Sequence, residues 1–482
     1  MTFEPIIGLE VHVQLNTKTK MFCSCSSKYL EVEPNTFVCN VCLGLPGSLP
    51  SVNNQAVISA IKLGLSLNCK ISSITKFDRK NYVYPDLMKG YQISQLDFPI
   101  AIQGKMVVKN MENIDKDIRI NRVHMEEDVA KLIHDETTGE VLVDINRSGM
   151  PLLEVVTEPD FRSAVEAENY LTNLQSIVRY LNIGNANMEE GSFRCDANVS
   201  IREEGTEELN EKVEIKNMNR IKAVSRAIDY EIQRQSTEVE SGNRIIQETR
   251  GWDDINSKSI PQRSKEDAHD YRYFPEPDLP VIVINDITIN KIKKNLPELP
   301  EAKFNRYVND IGISEYDAKI IISNINKTVF FEDVIKNFNK IDPNLISNWI
   351  NVEINGISNN MKDYNFKKMK LSSKNFGKLI NLVDKKEINK NTGKEILSKI
   401  YSTDEDPVEL VSKMGLKSMN NKAELQIMVK EILIDNKPAI DDYMKGKENA
   451  VRFLIGQVMK KSRGRANPAE TETEIIKQLN DY

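Results

Sequence analysis

The sequence predicts an α+β fold: a β-rich domain over residues 1–290, an all-α domain over 291–405 and a small helical tail over 406–482. Three observations carry this. Short runs before residue 290 alternate apolar and polar residues with the period of two that strands require. Most glycines and prolines fall there too, with turn signals such as Leu45-Pro46-Gly47 and Lys89-Gly90. Beyond Pro297-Glu298-Leu299-Pro300, apolar residues recur at helical spacing, as in Ala318-Ile321-Ile322, and the polar filler becomes Lys and Asn.

Within the first domain, helices are expected near 54–67, 163–181 and 220–240. A second boundary falls near Ser402-Thr403-Asp404-Glu405-Asp406-Pro407. Three or four short helices follow, separated by Asn421, Pro438 and Gly446. Val451, Leu454, Ile455 and Val458 form one helical stripe, read as core packing. The run Lys460-Lys461-Ser462-Arg463-Gly464-Arg465 comes next. It reads either as a solvated helix end or, on an acidic chain, as a local phosphate contact.

The 482 residues carry a formal net charge of -6, which argues against a simple basic sponge for nucleic acid but leaves room for a local basic surface. A hydrophobic content of 40% is that of a globular protein. No apolar run approaches the roughly 18 residues of a membrane span, and the N-terminus lacks a signal-peptide core. The chain is expected in the cytoplasm, without a membrane partner.

Four strand-like stretches concentrate ionisable groups on one face. In Ile7–Leu15, the residues Glu10, His12 and Gln14 oppose Ile7, Leu9, Val11, Val13 and Leu15. Arg122, His124, Glu126 and Asp128 share a face in the second stretch. Arg194, Asp196 and Asn198 share one in the third, and Lys212, Glu214 and Lys216 in the fourth. Any one of these faces reads as solvated. Together they concentrate hard-cation and phosphate ligands, which suggests a sheet lining a charged cleft. Glu10, Glu154 and one of Glu126 and Glu127 are the carboxylate candidates for Mg²⁺. Alternation puts Glu126 on the His124 face, and a bulge would reverse this. His12 is either a ligand or a structural hydrogen-bonder. Arg79, Lys80, Arg147, Arg194 and Lys216 are candidates for nucleotide phosphates, with Asp196 and Asn198 grouped at the same site and Lys216 also in the catalytic set.

Cys23-Ser24-Cys25 and Cys39-Asn40-Val41-Cys42 make a CxC…CxxC pattern with thirteen residues between the pairs. Two close thiolate pairs across a loop fit a four-cysteine zinc with no open position, hence a structural one over 23–42. Cys195 lies on an apolar face and reads as core. Absences matter as well. There is no GxxxxGK[ST] run, so ATP use needs another cradle. Ser-Ser-Lys at 26–28 and 372–374 lacks the context of a Ser/Lys amidase, so this chain is not expected to release ammonia from an amide by itself.

Several strings resemble the B subunit of the tRNA-dependent aspartyl/glutamyl amidotransferase. They are Ile7–Leu15, Lys76-Phe77-Asp78-Arg79-Lys80-Asn81-Tyr82, Gly90-Tyr91-Gln92-Ile93-Ser94-Gln95, His124-Met125-Glu126-Glu127-Asp128, Met188–Asn198, and Asp270–Asp278. The tail contributes Phe453–Lys460 and Gly464-Arg465-Ala466-Asn467-Pro468. The resemblance implies a cradle-like catalytic domain, a helical domain and a helical tail. It implies a heterotrimer in which the partners are an amidase, the A subunit, and a small third protein, the C subunit. It implies that this chain uses ATP to phosphorylate the side-chain carboxylate of Glu-tRNA(Gln) or Asp-tRNA(Asn), which ammonia from the amidase then converts to the amide. Glu10, His12, a glutamate of the His124–Asp128 motif and Glu154 match the family's Mg²⁺ site. Lys460, Lys461, Arg463 and Arg465 would contact tRNA phosphates.

Overall fold

The computed structural model describes residues 2–480 except 31, 136, 265–270, 360–365, 367–368, 417–421, 446, 448 and 463–464. The chain divides into two compact units, Met1–Pro300 and Glu301–Tyr482. With its large mixed sheet and many helices, it is an α+β protein.

The first unit is built on a nine-stranded sheet. Its strands run in the order Lys258–Ser264, Glu248–Asp253, Val213–Met218, Phe193–Glu203, Phe3–Gln14, Pro151–Thr157, Asp115–Glu127, Ala101–Lys109 and Lys70–Ile71. Pairing is antiparallel except between Val213–Met218 and Glu248–Asp253. Those two are joined by helix Ile221–Glu240, the long crossover that a parallel pair needs. The expected alternation holds along Phe3–Gln14: Ile7, Leu9, Val11 and Val13 are all buried. Val123, Val155 and Ala197 from the neighbouring strands, together with Cys195, join them in one core. Helices Asn54–Ser66, Ala164–Tyr180 and Ile221–Glu240 supply the other side of it, through Ala56, Ala60 and Leu63, through Leu171, Leu174 and Val178, and through Val224, Ala227 and Ile228. These positions recur at three and four, as an amphipathic helix requires. Asn53 and Ser163 cap the first two helices by accepting backbone N–H bonds, which explains why they begin where they do.

A three-stranded sheet, Phe274–Pro275, Asp78–Asn81 and Tyr91–Ser94, stands beside the end of Asp115–Glu127. It brings three distant motifs together. Helix Asp286–Lys294 packs on Asn54–Ser66, so the first unit runs past residue 290.

The second unit is helical. Helix Pro407–Met414 packs on Ser373–Asp384 and Lys390–Thr403. Farther along, Lys422–Asp435, Lys437–Met444, Asn449–Lys461 and Pro468–Leu479 enclose a separate core that contains Val451, Leu454 and Val458, with Ile455 packed against it. Pro438 marks the break between Lys422–Asp435 and Lys437–Met444 from inside the first turn of the second helix, where its missing N–H is not needed. Asn421 and Gly446 lie outside the described residues. Among the described residues no helix is long and apolar enough to cross a membrane.

Gly104 sits where the Ala101–Lys109 strand passes the end of the first long helix. A Cβ there would come within 2.7 Å of the Leu67 carbonyl and press on Cys69 Sγ. Backbone cannot yield as a side chain can, so Gly104→Ala is expected to destabilise the first unit by about 1–3 kcal/mol. A lowered urea midpoint would register this.

Candidate active site

Strand register sets His124, Glu154, His12 and Arg194 side by side on four adjacent strands. Alternation sends all four to the face opposite the core. Glu126, two residues beyond His124, joins them. His12 Nε2 lies 3.3 Å from Glu126 and 3.4 Å from Glu154, while His124 Nε2 lies 3.5 Å and 3.0 Å from the same two. Two histidines and two glutamates thus alternate around a closed ring. His124, Glu126 and Glu154 are buried, and His124 Nδ1 has no hydrogen-bond partner among the described residues.

Burial works against a charged imidazole at both histidines. The charge of Glu154 and hydrogen bonds to Glu126 and Glu154 outweigh it, pushing His124 up to about 9 and His12 well above its ordinary value. Burial would likewise raise both glutamates. The histidines reverse this and hold both below the usual carboxylate range. The ring is therefore ionised throughout at neutral pH.

Basic and polar groups border it. Ser94 Oγ donates to Glu126 at 3.3 Å. Burial disfavours the charge of Lys80, but Glu126 together with Tyr273, Tyr271 and Tyr82 outweighs this and raises it above its ordinary value. The Lys80 ammonium lies 4.6 Å from the Tyr271 ring centre and 5.8 Å from that of Tyr82. Arg194 donates both terminal nitrogens to Asp128, at 3.1 and 3.2 Å. Glu10 stands opposite Asp196 and accepts from Asn198 Nδ2 at 3.0 Å. Lys216 pairs with Asp196 at 2.8 Å and Glu214 at 3.2 Å. Glu10, Asp196, Asn198 and Lys216 thus form a second polar group along the same face.

Other expected residues sit elsewhere. Glu127 points away from the ring, pairing with Lys89 and accepting from Ile93 N at 3.0 Å. No bulge interrupts the 123–127 register, so the alternation that brings Glu126 in turns Glu127 out. Arg79, adjacent to Lys80 and on the opposite side of its strand, grips buried Glu276 at 2.7 and 2.8 Å and stacks 4.3 Å from the Tyr91 ring centre. Arg147 donates to the carbonyls of Val129 and Ala130 at 3.0 and 2.9 Å. Both arginines brace structure. The Sγ atoms of Cys23, Cys39 and Cys25 lie 3.6, 3.7 and 3.8 Å from that of Cys42. A tetrahedral centre with bonds of about 2.3 Å sets sulfurs roughly 3.8 Å apart. In the second unit, Lys460 is exposed, Lys461 pairs with Glu431 at 2.7 Å, and Arg465 donates to the Ser462 carbonyl at 3.1 Å. Arg463 lies outside the described residues, as do Asp270 and Gly464.

Sequence reasoning did not put His124 among the site residues, although it had placed His124 on the Glu126 face. Asp128 lies on that same face without being a candidate, and the partners Lys89 and Glu276 carry no signal in the sequence. The Arg79–Glu276 pair spans 197 positions and leaves no local signal.

The ring predicts a pH dependence of metal-free protein. His124 is raised in the fold, so its contribution to stability is complete below about pH 6.5 and is lost as pH rises through about 9. The glutamates are lowered, so theirs is present above about pH 4.5 and is lost as pH falls through their folded values. The melting temperature should fall between pH 6.5 and 9 in the wild type and much less in His124→Asn. Identical profiles would rule out the charged ring.

A family model described as the GatB/GatE catalytic domain matches residues 5–290, and one described as the GatB domain matches 329–479. The B subunit of the aspartyl/glutamyl-tRNA(Asn/Gln) amidotransferase of Dehalococcoides mccartyi (strain ATCC BAA-2266 / KCTC 15142 / 195) is 48% identical, over 99% of this chain and 98% of that protein. Proteins of the same name from Persephonella marina and Thermoanaerobacter pseudethanolicus are each 44% identical, over 99% of this chain and 100% and 99% of theirs. The chain belongs to the family of the aspartyl/glutamyl-tRNA(Asn/Gln) amidotransferase B subunit, which is one component of a ligase-type, glutamine-dependent amidotransferase.

Proposed function

We propose that this chain binds a mischarged tRNA, phosphorylates the side-chain carboxylate of its esterified amino acid with ATP, and lets ammonia displace the phosphate. Glu-tRNA(Gln) would become Gln-tRNA(Gln), Asp-tRNA(Asn) would become Asn-tRNA(Asn), or both. The work would be done in the cytoplasm, within a heterotrimer whose amidase partner releases the ammonia and whose small third partner finishes the assembly. The 1–290 region would be the catalytic cradle, 291–405 a helical domain and 406–482 the tRNA-binding tail. The single observation that supports this reading best is the charged ring on the polar face of the sheet, with Lys80 beside it.

A free carboxylate is a poor electrophile, because its charge repels nucleophiles and oxide is a bad leaving group. Converting it to an acyl phosphate removes both obstacles, and positioned charge is what such a transfer needs. Donor atoms of His12, Glu126 and Glu154 lie within 4.8 Å of one another. Two carboxylates and one imidazole fit a hard divalent cation that completes its shell with water and phosphate oxygens. These three residues would hold Mg²⁺, with Glu10 next along the strand. When bound, the ion would neutralise charge on the phosphates. His12 must lose its proton to act as a ligand, and His124 would keep Glu154 oriented. Lys80 and Arg194 would meet phosphate oxygens. Asn198, Asp196 and Lys216 would fix Glu10 and the far side of the site. The four cysteines fit a structural Zn²⁺ by donor type and spacing, which would hold the 23–42 loop in place.

In the assembled enzyme with Glu-tRNA(Gln), ATP and glutamine, Glu154→Gln should lower tRNA-dependent ADP release by at least about 100-fold while tRNA affinity stays within a few-fold. Full ADP release would remove the kinase assignment. For the tail, the logarithm of tRNA affinity against the logarithm of salt should lose about one unit of slope in Lys460→Ala. An unchanged slope would reject that contact.

A further inference from the structure

Lys20 is fully buried. Its ammonium reaches three atoms: the Phe37 carbonyl at 2.8 Å, the Ile145 carbonyl at 3.4 Å and Cys42 Sγ at 3.6 Å. Among the described residues no carboxylate pairs with it. Two carbonyls satisfy hydrogens but do not neutralise a charge, and an ammonium taken out of water needs an anion close by. The remaining neighbour is the sulfur of Cys42, itself surrounded by the sulfurs of Cys23, Cys25 and Cys39. Four neutral thiols would leave the lysine uncompensated. Four thiolates around one divalent cation carry a net double negative charge, which an adjacent ammonium offsets.

The same side chain ties together segments that are far apart in sequence. Its stem passes over Gly149, where a Cβ would stand 3.5 Å from Lys20 Cδ. Met21 N donates to the Gly149 carbonyl at 2.7 Å, and Gly149 N donates to the Asp128 carbonyl at 2.9 Å. Phe37, whose carbonyl Lys20 holds, donates its own N–H to Asn146 Oδ1 at 2.8 Å.

We propose that Lys20 is the charge partner of the four-cysteine metal centre and a positioning residue that clasps this centre to the 145–149 turn. The proposal rests on the four cysteines being a metal site and assigns to it a residue outside the ligand set. Its chemistry is electrostatic, so replacing the ammonium should alter metal binding even where the stem is kept.

The test is a zinc competition titration against a chromogenic chelator on the full-length chain, comparing wild type with Lys20→Met. Zinc should bind about 10–100-fold more weakly to the variant. Equal dissociation constants would overturn the proposal. Melting temperatures supply a second measurement that a purely packing role would not reproduce. Lys20→Met should lower the melting temperature of the zinc-loaded wild type. Placed on Cys42→Ser, where the cluster is broken and the buried cation has lost its counter-charge, the same substitution should raise it. A fall in both backgrounds would overturn the proposal. If Lys20→Met does not fold alone, the comparison of Cys42→Ser with the double variant decides. Wild type that binds no zinc at all would instead overturn the metal centre itself, and this inference with it.

Discussion

Four ionised groups share a buried space on the polar face of the sheet, and they can do so only because each charge stands between two of the opposite sign. Removing one member leaves an uncompensated buried charge, a change that typically costs about 3–5 kcal/mol. The arrangement depends on the sheet behind it. His124, Glu154 and His12 meet because their strands are in register, and the register holds because the alternate residues of the same strands are locked into the core with three helices. A slip of one residue would send the ring into the core and the valines into the cleft.

Alternation also sorts the cations of the Asp78–Asn81 strand. Arg79 turns to one side and is consumed in a bidentate bond to Glu276, which fastens the Phe274–Pro275 strand. Lys80 turns to the other and stands over tyrosine rings near Glu126, and among the described residues no carboxylate closes onto it. Neighbours in sequence thus divide between building the wall of the site and facing into it. Asp128 plays the building role for Arg194, holding its guanidinium by two hydrogen bonds at the end of the row.

What could be read from the chain beforehand was local. Period-two patterning along Ile7–Leu15 revealed which side chains share a face, and the helices near 54–67, 163–181 and 220–240 lie where apolar spacing and their boundaries indicated. The paired cysteines announced their cluster by spacing alone. Strand order and long-range pairing were out of reach, because nothing near Arg79 points to Glu276 and nothing near Lys20 points to Cys42 and Ile145. For that reason local pattern does not separate arginines that brace the fold from those that face the cleft. His124 shows on the right face in the sequence, but its significance comes from being opposite Glu154 on another strand, which no local pattern reveals.

The Phe3–Gln14 strand lies in the middle of the sheet, yet both strands that cover it come much later in the chain. One neighbour is Pro151–Thr157 and the other is Phe193–Glu203. On a ribosome adding about 5–20 residues per second, it waits roughly 10–40 seconds before both edges are covered. Throughout that interval a strand with a continuous aliphatic face stands open to mispairing. Newborn chains therefore pass through a window in which the segment that carries Glu10 and His12 has neither of its partner strands to pair with.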